Sequence, residues 1–119
     1  MIIEDLLEKR EEVTESIIEK RLEKSEAFKT RSIKELTLVK YEAELHKDIV
    51  TSPIQFGLPG NRKPTLADVE AIKSIDKKLM IHKGGIVDCD CKLLKIEIDL
   101  ANLVERKELI ETQLKYYSY

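Results

Sequence analysis

The sequence predicts an all-α protein, a long antiparallel helical hairpin with a coiled-coil-like seam. The evidence is an N-terminal stretch without proline or glycine, one break that holds all three prolines, and a seven-residue apolar repeat after that break. A chain of 119 residues has the length of one domain. We therefore expect a single helical-hairpin domain over residues 1–119, with a helix at 2–50, a loop at 51–64 and a helix at 65–117.

Composition favours long helices and argues against a strong electrostatic field around the chain. Hydrophobic residues make up 42% of the chain, charged residues 37% and aromatic residues 5%, which is typical of long helices. The 21 basic and 23 acidic side chains nearly cancel, so any binding to nucleic acid or to an anionic membrane would be local. No stretch resembles a membrane span, and the acidic N-terminus does not resemble a signal peptide. We expect a cytoplasmic protein that does not enter a membrane.

The first predicted helix carries an apolar stripe. No proline or glycine interrupts residues 2–50, and apolar residues recur every eleven positions. Eleven residues make three turns at about 3.67 residues per turn, so the stripe runs nearly straight along the helix. The members of this stripe are Leu6, Ile17, Phe28, Val39 and Val50.

A loop of turn-forming residues separates the two predicted helices. Pro53 ends the first helix, and the run from Pro59 to Asn61 is a turn signal. Thr65 followed by Asp68 has the pattern of a helix N-cap with an acid in the first turn. The second helix is therefore expected to begin at residue 65.

The second predicted helix follows a heptad repeat over seven heptads, which is more than a coiled-coil prediction requires. Two of its seam positions are polar, His82 at d and Lys107 at a, and we expect them to set register or oligomer state. The a positions are Ile72, Leu79, Ile86, Leu93, Leu100, Lys107 and Leu114. The d positions are Ile75, His82, Cys89, Ile96, Leu103, Ile110 and Tyr117.

Gly84 and Gly85 allow a competing interpretation of this region. Residues 87–100 alternate apolar and polar side chains as a strand would, so a small β element is the alternative. Helix is favoured because the heptad phase is kept across the glycines. Two adjacent glycines cost a helix roughly 2 kcal/mol relative to alanine, so we expect a kink at residues 84–85.

Apolar residues off the main stripes predict self-association. Two helices alone bury one stripe each, and the remaining apolar residues would face water. We expect a homodimer that forms a four-helix bundle. The residues concerned are Leu7, Ile18, Ile33, Leu94 and Ile98.

Cys89 and Cys91 form the only motif that suggests a metal. Two cysteines so close together do not make a secreted disulfide framework, which favours a reducing compartment. Zinc needs four ligands, and side chains two apart on a helix point to different faces. Cys89 lies at a d position, where cysteine acts as a small hydrophobe. We predict no metal and no cofactor.

The loop offers two alternative binding sites. Residues 51–65 contain two basic and no acidic side chains, and glycines there could let backbone N–H groups converge on an anion. The residues of this predicted phosphate or nucleic-acid contact are Asn61, Arg62 and Lys63. The alternative is an apolar edge for a protein partner, formed by Ile54, Phe56 and Leu58.

Tyrosines cluster at the C-terminus, at positions 116, 117 and 119. Exposed aromatic residues are favoured interface anchors, so Tyr116, Tyr117 and Tyr119 are candidates for binding a protein. In a hairpin, the same rings could instead pack on Ile2, Ile3 and Leu6 near the N-terminus.

No catalytic or phosphate-binding motif is present, so the favoured function is a non-catalytic interaction or scaffold protein that binds another protein. One alternative is an accessory factor in nucleic-acid metabolism that uses the Arg62-Lys63 loop. Another is a small protein inhibitor of an enzyme, which would use the acidic residues of the first helix. These are Glu4, Asp5, Glu8, Glu11, Glu12 and Glu15.

Overall fold

The computed structural model describes residues 2–118 and shows an all-α helical hairpin. Its elements are helix α1 (Ile2–Thr51), a short 3₁₀ helix (Pro53–Phe56), helix α2 (Leu66–Ile75) and helix α3 (Lys77–Tyr117). The described residues contain no strand, so the β alternative for residues 87–100 is wrong. The hairpin predicted from the proline break is confirmed.

The chain divides into two compact units. One combines Met1–Lys29 with Asp90–Tyr119, and the other is Thr30–Cys89. The core of the first unit is formed by α1 and α3 alone, in two clusters that Leu100 adjoins. The buried residues of these clusters are Leu6, Val13, Ile17 and Ile110 in one, and Ala27, Leu93 and Ile96 in the other.

The core of the Thr30–Cys89 unit combines α1, α2, α3 and the loop. Its buried residues are Leu45, Ile49, Val69 and Leu79. Loop residues Phe56 and Leu58 pack against this cluster, so the connection between helices has an apolar anchor of its own. An ion pair of 3.5 Å between Lys73 of α2 and Glu42 of α1 adds to the attachment of α2.

The heptad repeat predicted for the second helix describes α3 well. Every a and d position from Leu79 to Leu114 is buried or half-buried. The repeat fails only at its two ends. Ile75 closes α2 with 72% of its surface exposed, and Tyr117 ends α3 with 45% exposed.

The eleven-residue stripe predicted for α1 is correct for two of its five members. Leu6 and Ile17 are buried, but Phe28, Val39 and Val50 are exposed. From Leu6 to Leu45 most inward side chains of α1 instead recur every seven residues, because α3 has a 3.5-residue period and a paired helix must match it. One such set is Leu6, Val13, Lys20 and Ala27, and the other is Ile17, Lys24, Arg31, Leu38 and Leu45.

The interruption in the second helix lies at Asp76 and not at the glycines. Asp76 has extended backbone (φ −71°, ψ 117°), and its Oδ1 accepts the backbone N–H of Leu79 at 2.8 Å, so it is the N-cap of α3. The helix runs through Gly84 and Gly85 without a break. A Cβ at Gly84 would meet nothing within 4 Å, and one at Gly85 would make ordinary contact with Lys34 at 3.7 Å. Within residues 65–117 the helix assignment is therefore interrupted at Asp76, and it continues through residues 84–85.

The start of α2 agrees with the sequence pattern. Thr65 Oγ1 accepts the backbone N–H of Asp68 at 3.2 Å, and Asp68 Oδ2 accepts the backbone N–H of Thr65 at 2.9 Å. This reciprocal capping box satisfies two N–H groups that the first turn leaves without helical partners. The N-cap prediction is confirmed.

Candidate interaction surfaces

The junction between α2 and α3 is held by α1 through Tyr41. The Tyr41 hydroxyl donates a hydrogen bond of 2.8 Å to Asp76 Oδ1, the same oxygen that caps α3. Burial raises the pKa of Tyr41, and the bond to the Asp76 carboxylate raises it further. The ring of Tyr41 also lies 5.1 Å from that of His82, centroid to centroid. The sequence pattern located His82 in the seam but did not reveal this network.

Lys107, Cys89 and Cys91 are the remaining residues of α3 that the sequence singled out. Lys107 is half-buried, which is compatible with the predicted seam position. Cys89 is buried and Cys91 is exposed, and both are free thiols. Among residues 2–118 there is no group of three or more potential metal ligands.

Two ion pairs join α1 to α3 in the unit that combines Met1–Lys29 with Asp90–Tyr119. Lys20 Nζ lies 3.4 Å from Asp99 Oδ2, and Lys24 Nζ lies 3.5 Å from Glu97 Oε1. The Glu23 carboxylate beside Lys20 is the main cause that raises the pKa of this lysine, and Asp99 contributes. Lys20 and Lys24 occupy seam positions, where long aliphatic stems cover apolar surface while the ammonium groups reach carboxylates. The eleven-residue pattern hid these pairs because it placed other residues in the seam.

The structure gives the basic residues of the loop different surroundings. Arg62 Nη1 donates to Asp68 Oδ2 at 3.0 Å, so Arg62 is tied to the capping box. The backbone hydrogen bond from Thr65, followed by the bond from Arg62, lowers the pKa of Asp68. Asn61 and Lys63 are exposed. Gly57 is one of the loop glycines whose backbone N–H groups were expected to converge on an anion, but its N–H donates to the Ile54 carbonyl at 3.0 Å inside the 3₁₀ turn.

The apolar edge predicted for the loop is only partly open. Phe56 and Leu58 are half-buried against the core, whereas Ile54 has 73% of its surface exposed. A Cβ at Gly60 would lie 2.6 Å from the Ile54 Cδ1 atom, so the loop folds Ile54 closely over Gly60. One side chain of the predicted three thus remains available to a partner.

Tyr116 and Tyr117 face solvent. Tyr116 and Tyr117 stack edge to face with ring centroids 5.2 Å apart. Tyr116 is 77% exposed, so the predicted packing of this ring on the N-terminal residues does not occur. Tyr119 lies outside the described residues.

A row of exposed, uncharged residues follows α1 within the Thr30–Cys89 unit. Its spacing alternates between four and three residues, so it forms one continuous stripe on the side of α1 that faces away from the core. The exposed fractions of Leu36 and Val39 are 71% and 64%. We call this row the α1 outer stripe, and its residues are Ser32, Leu36, Val39, Ala43, His46 and Val50.

A second row follows α3 in the unit formed by the two chain ends. Cys91, Leu94, Ile98 and Ala101 obey the same alternating spacing and are all exposed. Leu94 and Ile98 have more than half of their surface open to water, at 58% and 54%. We call this row the α3 outer stripe. A surface of this kind is typical of a helix that packs against another protein chain.

The α1 outer stripe borders a groove inside the Thr30–Cys89 unit. The groove has a volume of about 620 Å³. Leu38 and Ile86 contribute half-buried apolar surface to it. The remaining lining residues are Ser32, Glu35, Leu36 and Val39. The stripe therefore lies beside a groove into which side chains of a partner can insert.

None of the helices formed by residues 2–118 has both the length and the apolar character needed to cross a membrane. Comparison of the chain with models of protein families, with curated proteins and with solved structures found no match.

Proposed function

We propose that the protein is a non-catalytic interaction or scaffold protein, which pairs with a second copy and binds another protein through an outer helix face. The outer stripes of α1 and α3 carry this proposal, since both helices expose uncharged, mainly apolar residues at coiled-coil spacing on the side away from their own core. A helix with apolar residues on two faces needs two packing partners.

The amount of exposed surface supports the same conclusion. The chain exposes 9017 Å² to solvent. A folded monomer of 13.8 kDa is expected to expose about 6,600 Å². The excess is about 2,400 Å² per chain, or about 4,800 Å² for two copies, and obligate dimers bury about 2,000–5,000 Å² in total. Self-association removes such an excess without any change of fold.

The setting we propose is the cytoplasm. The exposed free thiol of Cys91 supports a reducing compartment, where such thiols persist.

The first test is the molar mass in solution, measured by light scattering at tens of micromolar protein. We expect a dimer for the natural sequence. Leu36→Glu and Leu94→Glu each place a charge on one outer stripe, and at least one of them should shift the mass to that of a monomer. Lys92→Glu changes an exposed residue beside Leu94 and should leave the mass unchanged. A natural protein that is monomeric at this concentration contradicts self-association.

The binding of another protein is tested by photo-crosslinking. A photoreactive amino acid at Ile98 reports contacts of the α3 outer stripe, and one at Lys92 is the matched control on the same helix. We expect position 98 to give a discrete product that joins one copy of this chain to a second protein, and the same second protein should be found when the experiment is repeated. Equal products from both positions would mean that the stripe is not the binding surface.

A further inference from the structure

The α1 outer stripe differs from an unspecific apolar surface because ordered charges flank it. On one side lie Lys40 and Lys47, seven residues apart, and on the other side lie Glu35 and Glu42, also seven residues apart. Heptad spacing keeps each pair beside the stripe along two turns of helix. The stripe thus has one basic and one acidic border.

The basic border has no counterpart inside the chain. Both lysine side chains are exposed, and neither ammonium group forms an ion pair or hydrogen bond with residues 2–118. On the acidic border, Glu42 lies 3.5 Å from Lys73, and Glu35 accepts a bond from Arg31. Both carboxylates remain partly open, with side-chain exposures of 39% and 48%.

We propose that the α1 outer stripes of two copies pack side by side in parallel, around a two-fold axis that runs along the helices. The inference rests on the self-association proposed above and specifies its face and its direction. In parallel helices that keep the heptad register, each glutamate of the acidic border lies opposite the basic-border residue five positions later on the other copy. Glu35 then meets Lys40 of the second copy, and Glu42 meets its Lys47.

An antiparallel arrangement of the two α1 helices is disfavoured by electrostatic repulsion. In an antiparallel pair, identical borders meet, so lysines face lysines and glutamates face glutamates. Like charges in direct opposition destabilise an interface, and opposite charges in the flanking positions select orientation. The parallel arrangement satisfies both borders at once.

The seam between these borders can pack. In the parallel pair each stripe residue meets its own copy, so Leu36, Val39 and Val50 form apolar layers, and Ala43 allows close approach of the backbones. The groove of about 620 Å³ beside Leu36 and Val39 gives the side chains of the second copy a place to insert. This pairing covers the part of the surplus exposed surface that lies along the α1 outer stripe.

Disulfide trapping tests the face and the direction together. In a Cys91→Ser background, Ala43→Cys places a thiol in the seam, opposite the same residue of the second copy. Glu44→Cys is the matched control, since it is the next residue and lies off the stripe. We expect air oxidation to link the Ala43→Cys chains at low protein concentration, much faster than the Glu44→Cys chains. Equal rates in a sample that is dimeric would overturn the proposal.

Charge reversal tests the borders independently. The double variant Lys40→Glu with Lys47→Glu should raise the dissociation constant of the dimer about tenfold or more, because four attractive contacts become repulsive. Mixing it with Glu35→Lys/Glu42→Lys chains should restore a dimer that contains both. A dimer of unchanged affinity in the first variant refutes the parallel α1 pairing and leaves self-association standing, whereas a natural protein that stays monomeric refutes both.

Discussion

Single side chains join the three helices of the Thr30–Cys89 unit through one carboxylate. Asp76 Oδ1 accepts both the Leu79 N–H, which starts α3, and the Tyr41 hydroxyl from α1. One oxygen thus couples a helix terminus to the neighbouring helix. A sequence pattern can suggest the aspartate as an N-cap but cannot show that a tyrosine 35 residues away completes the site.

Tyr41→Phe measures this coupling. The ring keeps its place beside His82, and only the hydrogen bond to Asp76 is lost. We expect the free energy of unfolding to fall by about 1 kcal/mol, measured by urea denaturation. Tyr116→Phe is the control, because Tyr116 is exposed and makes no such bond to a carboxylate. Equal losses in the two variants would mean that the Asp76 bond has no specific role.

The capping box at the start of α2 gives a prediction on pH. Asp68 has a lowered pKa in the folded chain because the Thr65 N–H and Arg62 stabilise its charged form. A carboxylate with a lowered folded pKa contributes stability above its unfolded pKa, about 3.9, and loses it as the pH falls through the folded value. Asp68→Asn should therefore be less stable than the natural protein at neutral pH.

The difference should shrink when the same urea titrations are made at about pH 3, below the unfolded pKa. Thr65→Ala removes the reciprocal bond and should cost about 1 kcal/mol at neutral pH. If the Asp68→Asn difference is the same at both pH values, the lowered pKa does not contribute to stability.

At the scale of the helices, sequence periodicity predicted the seam of α3 but not the seam of α1. The heptad of α3 was predictable residue by residue from Leu79 to Leu114, because nearly all of its seam positions are apolar. The seam of α1 was not, because it contains Lys20, Lys24 and Arg31, and their stems rather than apolar side chains line the contact. The misleading eleven-residue repeat combined two residues of the seam with apolar residues outside it.

The outer stripes explain that repeat. Val39 and Val50 belong to the α1 outer stripe, and Leu6 and Ile17 belong to the core, so the repeat joined residues of two different faces. Sequence alone predicted that apolar residues would be left over for self-association. It could not assign them to faces, because the seam of α1 depends on the helix packed against it.

Glycine substitutions test whether α3 is continuous. Gly84→Ala adds a methyl group that meets nothing within 4 Å, so we expect the free energy of unfolding to rise by about 1 kcal/mol. Gly57→Ala is the contrasting variant. Gly57 has φ +79° at the end of the 3₁₀ helix, and alanine there should cost about 1–2 kcal/mol. A loss of stability in Gly84→Ala would indicate a bend that requires glycine.

At the scale of the whole chain, the main feature is its large solvent-exposed surface of 9017 Å². Units of about 60 residues with two or three helices bury few side chains completely, and among residues 2–118 only Ile49, Leu79 and Ile96 are fully buried. Small cores contribute little net stability. Pairing of two copies therefore also stabilises the fold, because it buries apolar side chains that the single chain leaves exposed to solvent.

Folding and association should consequently be coupled. If the dimer is the stable form, the midpoint of thermal unfolding rises with protein concentration, because dissociation accompanies unfolding. We expect a rise of a few degrees for each tenfold increase in concentration, measured by circular dichroism. Lys40→Glu with Lys47→Glu alters two exposed side chains outside both cores, so it should lower the midpoint and weaken its concentration dependence without loss of helix content. A natural protein whose midpoint does not change with concentration would show that each chain is stable alone, and that its outer stripes serve other proteins only.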